Sequence, residues 1–425
     1  MGLKIRLVVM NFLQYAVWGA YLTSMGTYLA GVGLAGNIGI FYAMQGIVSL
    51  FMPALIGIIA DRWVPAQKML GICHLLAAGF MVAAGYYGMT TEVPEFGVLF
   101  SLYAFGVAFY MPTIALSNSV AYSVLGQAGL DTVKHFPPIR VWGTVGFIGA
   151  MLVTNFLHFG GASMQTLPQQ FVFSAILGVV LGLYSFSLPR IAVNRSAEKR
   201  SFVEASGLKA FTLFKQKKMA LFFIFSMLLG VSLQITNGFA NPFIDTFKTI
   251  PEFANSWGAN NANALISLSQ ISEAMCILLI PFFLRRFGIK NVMLIAMFAW
   301  VLRFGFFGAG NPGGGVWMFV MSMLVYGVAF DFFNVSGSLF VDKETDPAIR
   351  SSAQGLFMMM TNGIGATIGT LGAQAVVDRF VYSQQTTSAI LAGWSTAWYL
   401  FAAYALVVAV MFWIVFKYKH TPTKA

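Results

Sequence analysis

Residues 189–218, PRIAVNRSAEKRSFVEASGLKAFTLFKQKK, decide the fold because they form the one long polar stretch in an otherwise apolar chain. The stretch carries eight Lys or Arg residues against two Glu residues. A segment with this many charges does not enter a bilayer core, where each charge is costly. We therefore interpret it as a linker outside the membrane and work outward from it in both directions.

Six apolar runs precede the linker and six follow it. A bilayer core about 30 Å thick requires about 20 apolar residues for one helical span. Spans 1 to 6 lie near residues 7–30, 38–60, 69–89, 96–125, 139–159 and 170–188, and spans 7 to 12 near 219–247, 262–284, 291–310, 316–341, 351–377 and 391–416. The sequence predicts an all-α membrane protein with a six-helix bundle at 1–188, a cytoplasmic basic linker at 189–218 and a second bundle at 219–425.

The composition supports this prediction and gives the expected orientation. Of the 425 residues, 58% are hydrophobic and 9% are charged, against about a quarter charged in a soluble domain. The net charge of +11 does not indicate a nucleic-acid partner, because the basic residues lie between apolar runs. The side that holds the linker and both termini carries 21 of the 25 Lys and Arg residues. Because cytoplasmic loops are enriched in Lys and Arg, both termini are predicted to be cytoplasmic.

The residues that usually bind metals do not cluster. Cys73 and Cys276 lie far apart inside apolar runs and are interpreted as small apolar side chains. The four histidines are scattered along the chain without the spacing of metal ligands. We therefore expect neither a metal nor a cofactor. The sequence also does not support a membrane-embedded enzyme, because it shows neither a nucleophile constellation nor a metal cluster.

Two carboxylates lie within predicted spans, Glu273 in span 8 and Asp331 in span 10. An ionisable group at mid-bilayer costs roughly 2.5–3.5 kcal/mol even on insertion scales, so it is usually retained where it lines a cavity or a pathway. The alternative is a buried structural ion pair. Arg303 in span 9 lies close to the outer end of that span. We expect it either to anchor the helix at the membrane surface or to form a pair with another side chain.

Amide and aromatic side chains recur at helical spacing around these carboxylates. Residues three, four or seven apart project from one face of a helix. The groups are Arg140, Thr144 and Phe147 on span 5, Gln234 and Asn237 on span 7, Gln270 and Glu273 on span 8, and Phe330, Asp331 and Asn334 on span 10. Asn11, Gln14 and Trp18 form a lower-ranked group on span 1. A single amide in a membrane helix usually joins two helices, but several groups from both halves predict a polar cavity where the halves meet. Arg140 follows Pro137-Pro138, so it alternatively extends toward the membrane surface.

This set of side chains favours a neutral, polyhydroxylated guest that contains a flat heterocycle. Amides donate and accept hydrogen bonds, carboxylates accept them from hydroxyl groups, and aromatic rings stack on planar rings. A nucleoside has all of these features. A sugar would use the amides and carboxylates but would need the aromatic faces less.

The two halves also resemble the major facilitator superfamily. Gly57-x-x-x-Asp61-Arg62 follows span 2, with Lys68 a little later, and Pro281-x-x-x-Arg285-Arg286-x-Gly288-x-Lys290 follows span 8. The superfamily carries Gly-x-x-x-Asp-Arg-x-Gly between its spans 2 and 3, and Val64 replaces the second Gly here. The resemblance implies the major facilitator fold, with 12 transmembrane helices in two pseudo-symmetric six-helix bundles.

Longer segments resemble the nucleoside:H+ symporter family. They are FPPIRVWGTVGF at 136–147, FIFSMLLG at 223–230, LQITN at 233–237, SQISE at 269–273, FDFFN at 330–334 and KYKH at 417–420. Position by position, the resemblance implies substrate binding by Arg140, Thr144, Phe147, Gln234, Asn237, Gln270, Glu273, Phe330 and Asp331. It implies a monomer in the bacterial cytoplasmic (inner) membrane.

The resemblance leads to a functional prediction. Glu273 or Asp331 takes up a proton, the site accepts a nucleoside, and alternating access carries both into the cell. The alternative is a proton-coupled sugar or oligosaccharide permease on the same fold, because such permeases also have an Arg early in span 5, a Glu on span 8 and an Arg on span 9.

Overall fold

The computed structural model describes residues 2–191, 208–346 and 349–418. The chain divides into two compact units. Unit 1 comprises Met1–Asn37 and Met44–Ser206, and unit 2 comprises Ile38–Ala43 and Gly207–Ala425. Of the predicted linker, residues 192–207 lie outside the described residues, while Leu208–Lys215 form a 3-10 helix.

The helices of the first half follow the predicted spans in order. Span 1 consists of Leu3–Gly19 and Met25–Gly31, span 2 of Ile38–Ser49 and Met52–Arg62, span 3 of Ala66–Thr90, span 4 of Phe96–Gln127, span 5 of Thr132–Phe156 and span 6 of Gln169–Ser185. A two-stranded hairpin, His158–Phe159 with Ala162–Ser163, joins spans 5 and 6. Span 5 begins seven residues before its predicted start, so Pro137 and Pro138 lie inside the helix.

The second half is also helical but more often interrupted. Span 7 consists of Lys217–Leu233 and Ile235–Thr246, spans 8 and 9 of Ala262–Ala309, span 10 of Val316–Glu344, span 11 of Arg350–Met358, the π-helix Met359–Gly365, Ala366–Val377 and the π-helix Asp378–Tyr382, and span 12 of Thr387–Val415. A short helix, Trp257–Asn260, precedes span 8. Gly288 separates spans 8 and 9, because its φ of 74° breaks the helical conformation.

The number of continuous membrane-crossing helices depends on how the breaks are treated. Among the described residues, seven helices are long and apolar enough to cross a membrane, or eight when the bent pair of span 2 is joined. One of these helices, Ala262–Ala309, contains both span 8 and span 9. Spans 1 and 11 are interrupted, and span 6 has 17 residues. These three spans are therefore too short, as single helices, to be counted among the seven or eight. Within the described part of the chain, helices therefore occupy all twelve predicted spans.

Glycines allow corresponding pairs of spans to approach closely in the two units. In unit 1, a Cβ at Gly146 of span 5 would lie 2.0 Å from the carbonyl oxygen of Phe12 in span 1. In unit 2, a Cβ at Gly369 of span 11 would lie 2.0 Å from the carbonyl oxygen of Val231 in span 7. Spans 7 and 11 are the first and fifth spans of the second half, so they correspond to spans 1 and 5 of the first half. The candidate site residues of span 5 and of span 7 therefore lie on helices that are held at backbone-to-backbone distance from a neighbouring span.

Candidate functional site

In unit 1, the predicted site residues Arg140, Thr144 and Phe147 project from span 5. Because the helix begins at Thr132, Arg140 lies more than two turns inside it rather than at its start. The guanidinium of Arg140 is half-buried and lies 3.8 Å from the centre of the Tyr15 ring. Arg140 therefore forms a cation–π contact inside the unit.

Aromatic rings continue this surface of unit 1. Phe147 is buried and contacts the Trp18 ring edge-on, with 6.2 Å between the ring centres. Trp18 also lies 6.0 Å from the Tyr110 ring, and its indole Nε1 donates a 3.3 Å hydrogen bond to Gln45 Oε1. These partners fix the Trp18 ring in place. Unit 1 thus presents one cation, one hydroxyl and fixed aromatic rings side by side.

In unit 2, span 7 is interrupted at the predicted amide pair. Gln234 separates Lys217–Leu233 from Ile235–Thr246. Its backbone angles, φ −94° and ψ −9°, stay within the right-handed helical region. Asn237 Nδ2 donates a 2.7 Å hydrogen bond to Gln234 Oε1. Both side chains remain partly exposed. The pair therefore keeps hydrogen-bonding groups available to a ligand, as the spacing of three predicts.

The two predicted carboxylates of unit 2 are grouped around Tyr326, a residue that the sequence did not single out. The Tyr326 phenol is close enough to Glu273, Asp331 and Arg303 to interact electrostatically with each of them. Its ring also stacks on Phe330, with 5.5 Å between the ring centres and 17° between the planes. Asp331 is buried and Glu273 is partly buried. Span 10 thus stacks Tyr326 on Phe330, and both acids act electrostatically on the Tyr326 phenol.

The remaining candidates are divided between ligand-accessible and internal positions. Gln270 is partly buried, one turn before Glu273. Asn334 Nδ2 donates to the Phe330 carbonyl of its own helix. On span 1, Asn11 and Gln14 are fully enclosed in unit 1, so these two amides stabilise the protein interior. Trp18 of the lower-ranked group contacts Phe147 of span 5.

Arg303 is enclosed inside unit 2 rather than exposed at a rim. Only 2% of its surface is exposed. Its guanidinium donates hydrogen bonds to three oxygens on three other spans, and its centre lies 4.4 Å from the Tyr326 ring. The acceptors are Thr236 Oγ1 at 3.1 Å, Ser269 Oγ at 3.3 Å and the Ser322 carbonyl oxygen at 2.8 Å. Arg303 therefore joins spans 7, 8, 9 and 10.

We expect Arg303→Met to destabilise the protein, because it leaves three buried oxygens without their donor. A hydrogen bond to a charged group contributes about 1.5–3 kcal/mol, and an unsatisfied buried group costs about 1–3 kcal/mol. The free energy of unfolding should fall by about 3 kcal/mol, measured as a lower thermal midpoint in detergent. Arg286→Met, at a position between spans 8 and 9, is the control and should leave the midpoint unchanged. Equal midpoints for the two variants would contradict the structural role of Arg303.

Among residues 2–191, 208–346 and 349–418, no group of three His, Cys, Asp or Glu side chains is arranged to hold a metal ion.

Comparisons with known proteins agree over nearly the whole chain. The family model described as "Nucleoside H+ symporter" matches residues 1–421. The xanthosine permease of Escherichia coli is 46% identical over 427 residues, covering 100% of this chain and 98% of that protein. The nucleoside permease NupG of Escherichia coli is 46% identical over 424 residues, covering 99% of this chain and 97% of that protein.

Solved structures show the same agreement in three dimensions. The crystal structure of the nucleoside transporter NupG superposes with a TM-score of 0.87 at 45% identity, covering 99% of this chain and all of that chain. A D-xylose–proton symporter superposes with a TM-score of 0.68 at 16% identity, covering 96% of each chain, which establishes a shared fold alone. The all-α major facilitator fold is thereby confirmed. A match of the family model to nearly every residue, together with this identity to two permeases, means that the chain belongs to the nucleoside H+ symporter family.

Proposed function

We propose that this protein carries nucleosides into the cell together with protons, by alternating access. The observation that carries the proposal is the 46% identity, over essentially the full chain, to permeases named for xanthosine and for nucleosides. The protein is a transporter and not an enzyme, as its family membership shows. The sugar permease alternative is not favoured, because the xylose symporter shares the fold at only 16% identity.

The proposed substrate-binding residues come from both units. From unit 1 they are Arg140, Thr144 and Phe147, and from unit 2 they are Gln234, Asn237, Gln270, Glu273, Phe330 and Asp331. The amides and Thr144 would donate and accept hydrogen bonds with the base and the ribose hydroxyls. Phe147 and Phe330 would stack on the base, and Phe330 is already held parallel to Tyr326. Tyr326 joins the set because it contacts Phe330 and both acids act electrostatically on its phenol.

Proton coupling is assigned to Glu273 and Asp331. A carboxylate in a poorly solvated site binds a proton more readily, whereas a neighbouring positive charge opposes protonation. Asp331 is buried and Glu273 is partly buried, and both carboxylates act electrostatically on the Tyr326 phenol, whose ring Arg303 contacts. We propose that one of the acids is protonated from outside before the nucleoside binds, and that it releases the proton inside.

The chain is a multi-pass protein of the bacterial inner membrane, in keeping with its family and its apolar helices. We further propose that both termini are cytoplasmic, because 21 of the 25 basic residues fall on that side of the predicted topology. The protein is proposed to work as a monomer in direct contact with lipid.

The test is uptake of labelled uridine by cells that express the full chain. Uptake should exceed that of cells with an empty vector and should fall when a protonophore removes the proton gradient. Unlabelled nucleosides should compete, whereas free bases and sugars such as lactose should not. Competition by sugars alone would establish the alternative permease, and uptake that ignores the protonophore would remove the coupling.

Residue roles are tested by Phe330→Leu, which keeps an apolar side chain but removes the stacking surface. An aromatic pair contributes about 0.5–1.5 kcal/mol beyond its buried area, so the apparent affinity for uridine should fall about 2- to 10-fold. Phe282→Leu, at an exposed position on span 8, is the control and should leave uptake unchanged. Unchanged affinity in Phe330→Leu would remove Phe330 from the site.

A further inference from the structure

Unit 1 contains a buried polar node that substrate recognition does not use. It is centred on Gln14 of span 1 and His74 of span 3, which are both fully buried. The Nε2 atom of His74 lies 2.8 Å from Gln14 Oε1, and Gln14 Nε2 donates a 2.7 Å hydrogen bond to Thr113 Oγ1 on span 4. Tyr110 of span 4 donates its hydroxyl to the Gln14 carbonyl oxygen at 2.8 Å. The node therefore joins spans 1, 3 and 4.

The directions of these hydrogen bonds determine which nitrogen of His74 carries the proton. The Thr113 hydroxyl uses its hydrogen to donate to the Tyr110 carbonyl at 2.5 Å, so its oxygen accepts from the Gln14 amide nitrogen. Gln14 Oε1 then faces His74 and requires a donor there. In a neutral imidazole one nitrogen is a donor and the other an acceptor. His74 must therefore carry its proton on Nε2, which leaves Nδ1 as an acceptor.

The Nδ1 atom of His74 is buried and has no hydrogen-bond partner among the residues that the structure describes. His74 lines a small cavity of about 10 Å³. One water molecule needs a cavity of roughly 10–15 Å³ and two to four polar partners. The lining also includes Tyr110 and Ser174, whose hydroxyl groups donate to carbonyl oxygens and can still accept.

We propose that this cavity binds one water molecule, which donates a hydrogen bond to His74 Nδ1 and a second to the Ser174 or Tyr110 hydroxyl oxygen. The water would extend the node to span 6, which carries Ser174. Among the described residues, the cavity lining includes no carboxylate, and the titratable groups that line it with His74 are the phenols of Tyr21 and Tyr110, of which the Tyr110 ring contacts the imidazole. A protonated imidazole would therefore have no counter-ion at this cavity.

The proposal assigns His74 a role other than proton transfer. His74 is the one fully buried histidine among the described residues, and in a proton-coupled transporter it is an obvious candidate for carrying the proton. The node instead requires it to remain neutral as an Nε2–H tautomer. His74 is accordingly a positioning residue, because it fixes Gln14 and, through Tyr110, the ring against which Trp18 packs.

The first test examines the unmodified full chain with 15N-labelled histidine by nuclear magnetic resonance in lipid nanodiscs. The His74 signals, assigned by their loss in His74→Gln, should show a neutral ring protonated on Nε2 and magnetisation transfer from water to the ring. A ring protonated on Nδ1, or a ring that receives no magnetisation from water, would overturn the proposal. This measurement does not depend on any variant folding correctly, apart from the assignment.

The second test fills the cavity. Gly178 also lines it, and a Cβ there would lie 3.3 Å from the Ala78 Cβ and 3.6 Å from the His74 carbonyl oxygen. Gly178→Ala should therefore displace the water and lower the thermal midpoint. Gly79→Ala, on the neighbouring helix with nothing within 4 Å, is the matched control and should not lower it.

A double-mutant cycle separates loss of the water from simple crowding. In a His74→Leu background the acceptor is absent, so Gly178→Ala should lower the midpoint less than it does in the natural background, whereas the crowding against Ala78 is common to both. An equal decrease in the two backgrounds would contradict the water site. If His74→Leu does not fold, His74→Gln serves as the background.

The third test is functional, and it alone rests on the proposed proton coupling. His74→Gln retains a donor for Gln14 and an acceptor beside the cavity. It should keep accumulation that is sensitive to a protonophore. Loss of accumulation together with persistent exchange of uridine across the membrane would show that His74 carries the proton, and the neutral assignment would then be wrong.

Discussion

Glu273→Gln is expected to abolish the accumulation of uridine against its gradient while leaving exchange across the membrane in place. The glutamine keeps the shape and hydrogen-bonding capacity of the side chain but cannot gain or lose a proton. One charge moving through 100 mV supplies about 2.3 kcal/mol, which corresponds to about fiftyfold accumulation at 1.36 kcal/mol per tenfold. The ratio of internal to external uridine should therefore fall from tens toward one.

The measurement pairs accumulation in energised cells with counter-flow in liposomes that have no proton gradient. Counter-flow needs binding and alternating access but no net proton movement, so it should survive in a variant that has lost coupling alone. Glu252→Gln, at an exposed carboxylate between spans 7 and 8, is the control and should accumulate uridine normally.

Asp331→Asn completes this experiment because both acids act electrostatically on the same phenol, that of Tyr326. The acid that carries the proton should lose accumulation and keep counter-flow when it is neutralised. An acid that acts only in binding should lose both activities together. Normal accumulation in both variants would remove the coupling role from this cluster.

The second large effect is expected at the glycines that allow paired spans to touch. Gly146→Ala places a Cβ 2.0 Å from the Phe12 carbonyl oxygen, and Gly369→Ala places one 2.0 Å from the Val231 carbonyl oxygen. Because the obstructing atoms belong to backbone, the helices themselves must separate. Overpacking typically costs about 1–3 kcal/mol and occasionally more, so we expect a loss of about 3 kcal/mol in each variant.

Each of these glycines has a matched control three residues later on the same span. A Cβ at Gly149 would lie 4.0 Å from the end of the Phe12 ring, and a Cβ at Gly372 would meet nothing within 4 Å. Alanine at either position should leave stability equal or slightly higher, since glycine costs about 0.5–1 kcal/mol within a helix. Thermal midpoints and the yield of monodisperse protein measure all four variants. Similar midpoints within each pair would refute close packing.

The candidate site was partly predictable from spacing. Side chains three or four apart on a helix lie on one face whatever the rest of the fold does, and Gln234 and Asn237 accordingly form a hydrogen bond. Spacing did not reveal Tyr15 or Tyr326, because a tyrosine in a membrane helix is a common residue with no distinguishing pattern. Their importance comes from contacts with Arg140 and Phe330 on other turns or other helices. The i, i+4 spacing of Tyr326 and Phe330 was the one available signal.

The sequence by itself determined the membrane class, the succession of spans and the family. Transfer of apolar residues from water into lipid is a property of each segment alone, and long shared segments identify relatives without coordinates. The tertiary structure decided which polar groups belong to the interior. It placed Arg303 among spans 7, 8 and 10 and Gln14 against His74. Such choices depend on which helices are neighbours, and a hydrogen bond within a bundle forms only where a donor and an acceptor from distant parts of the chain are brought to about 3 Å.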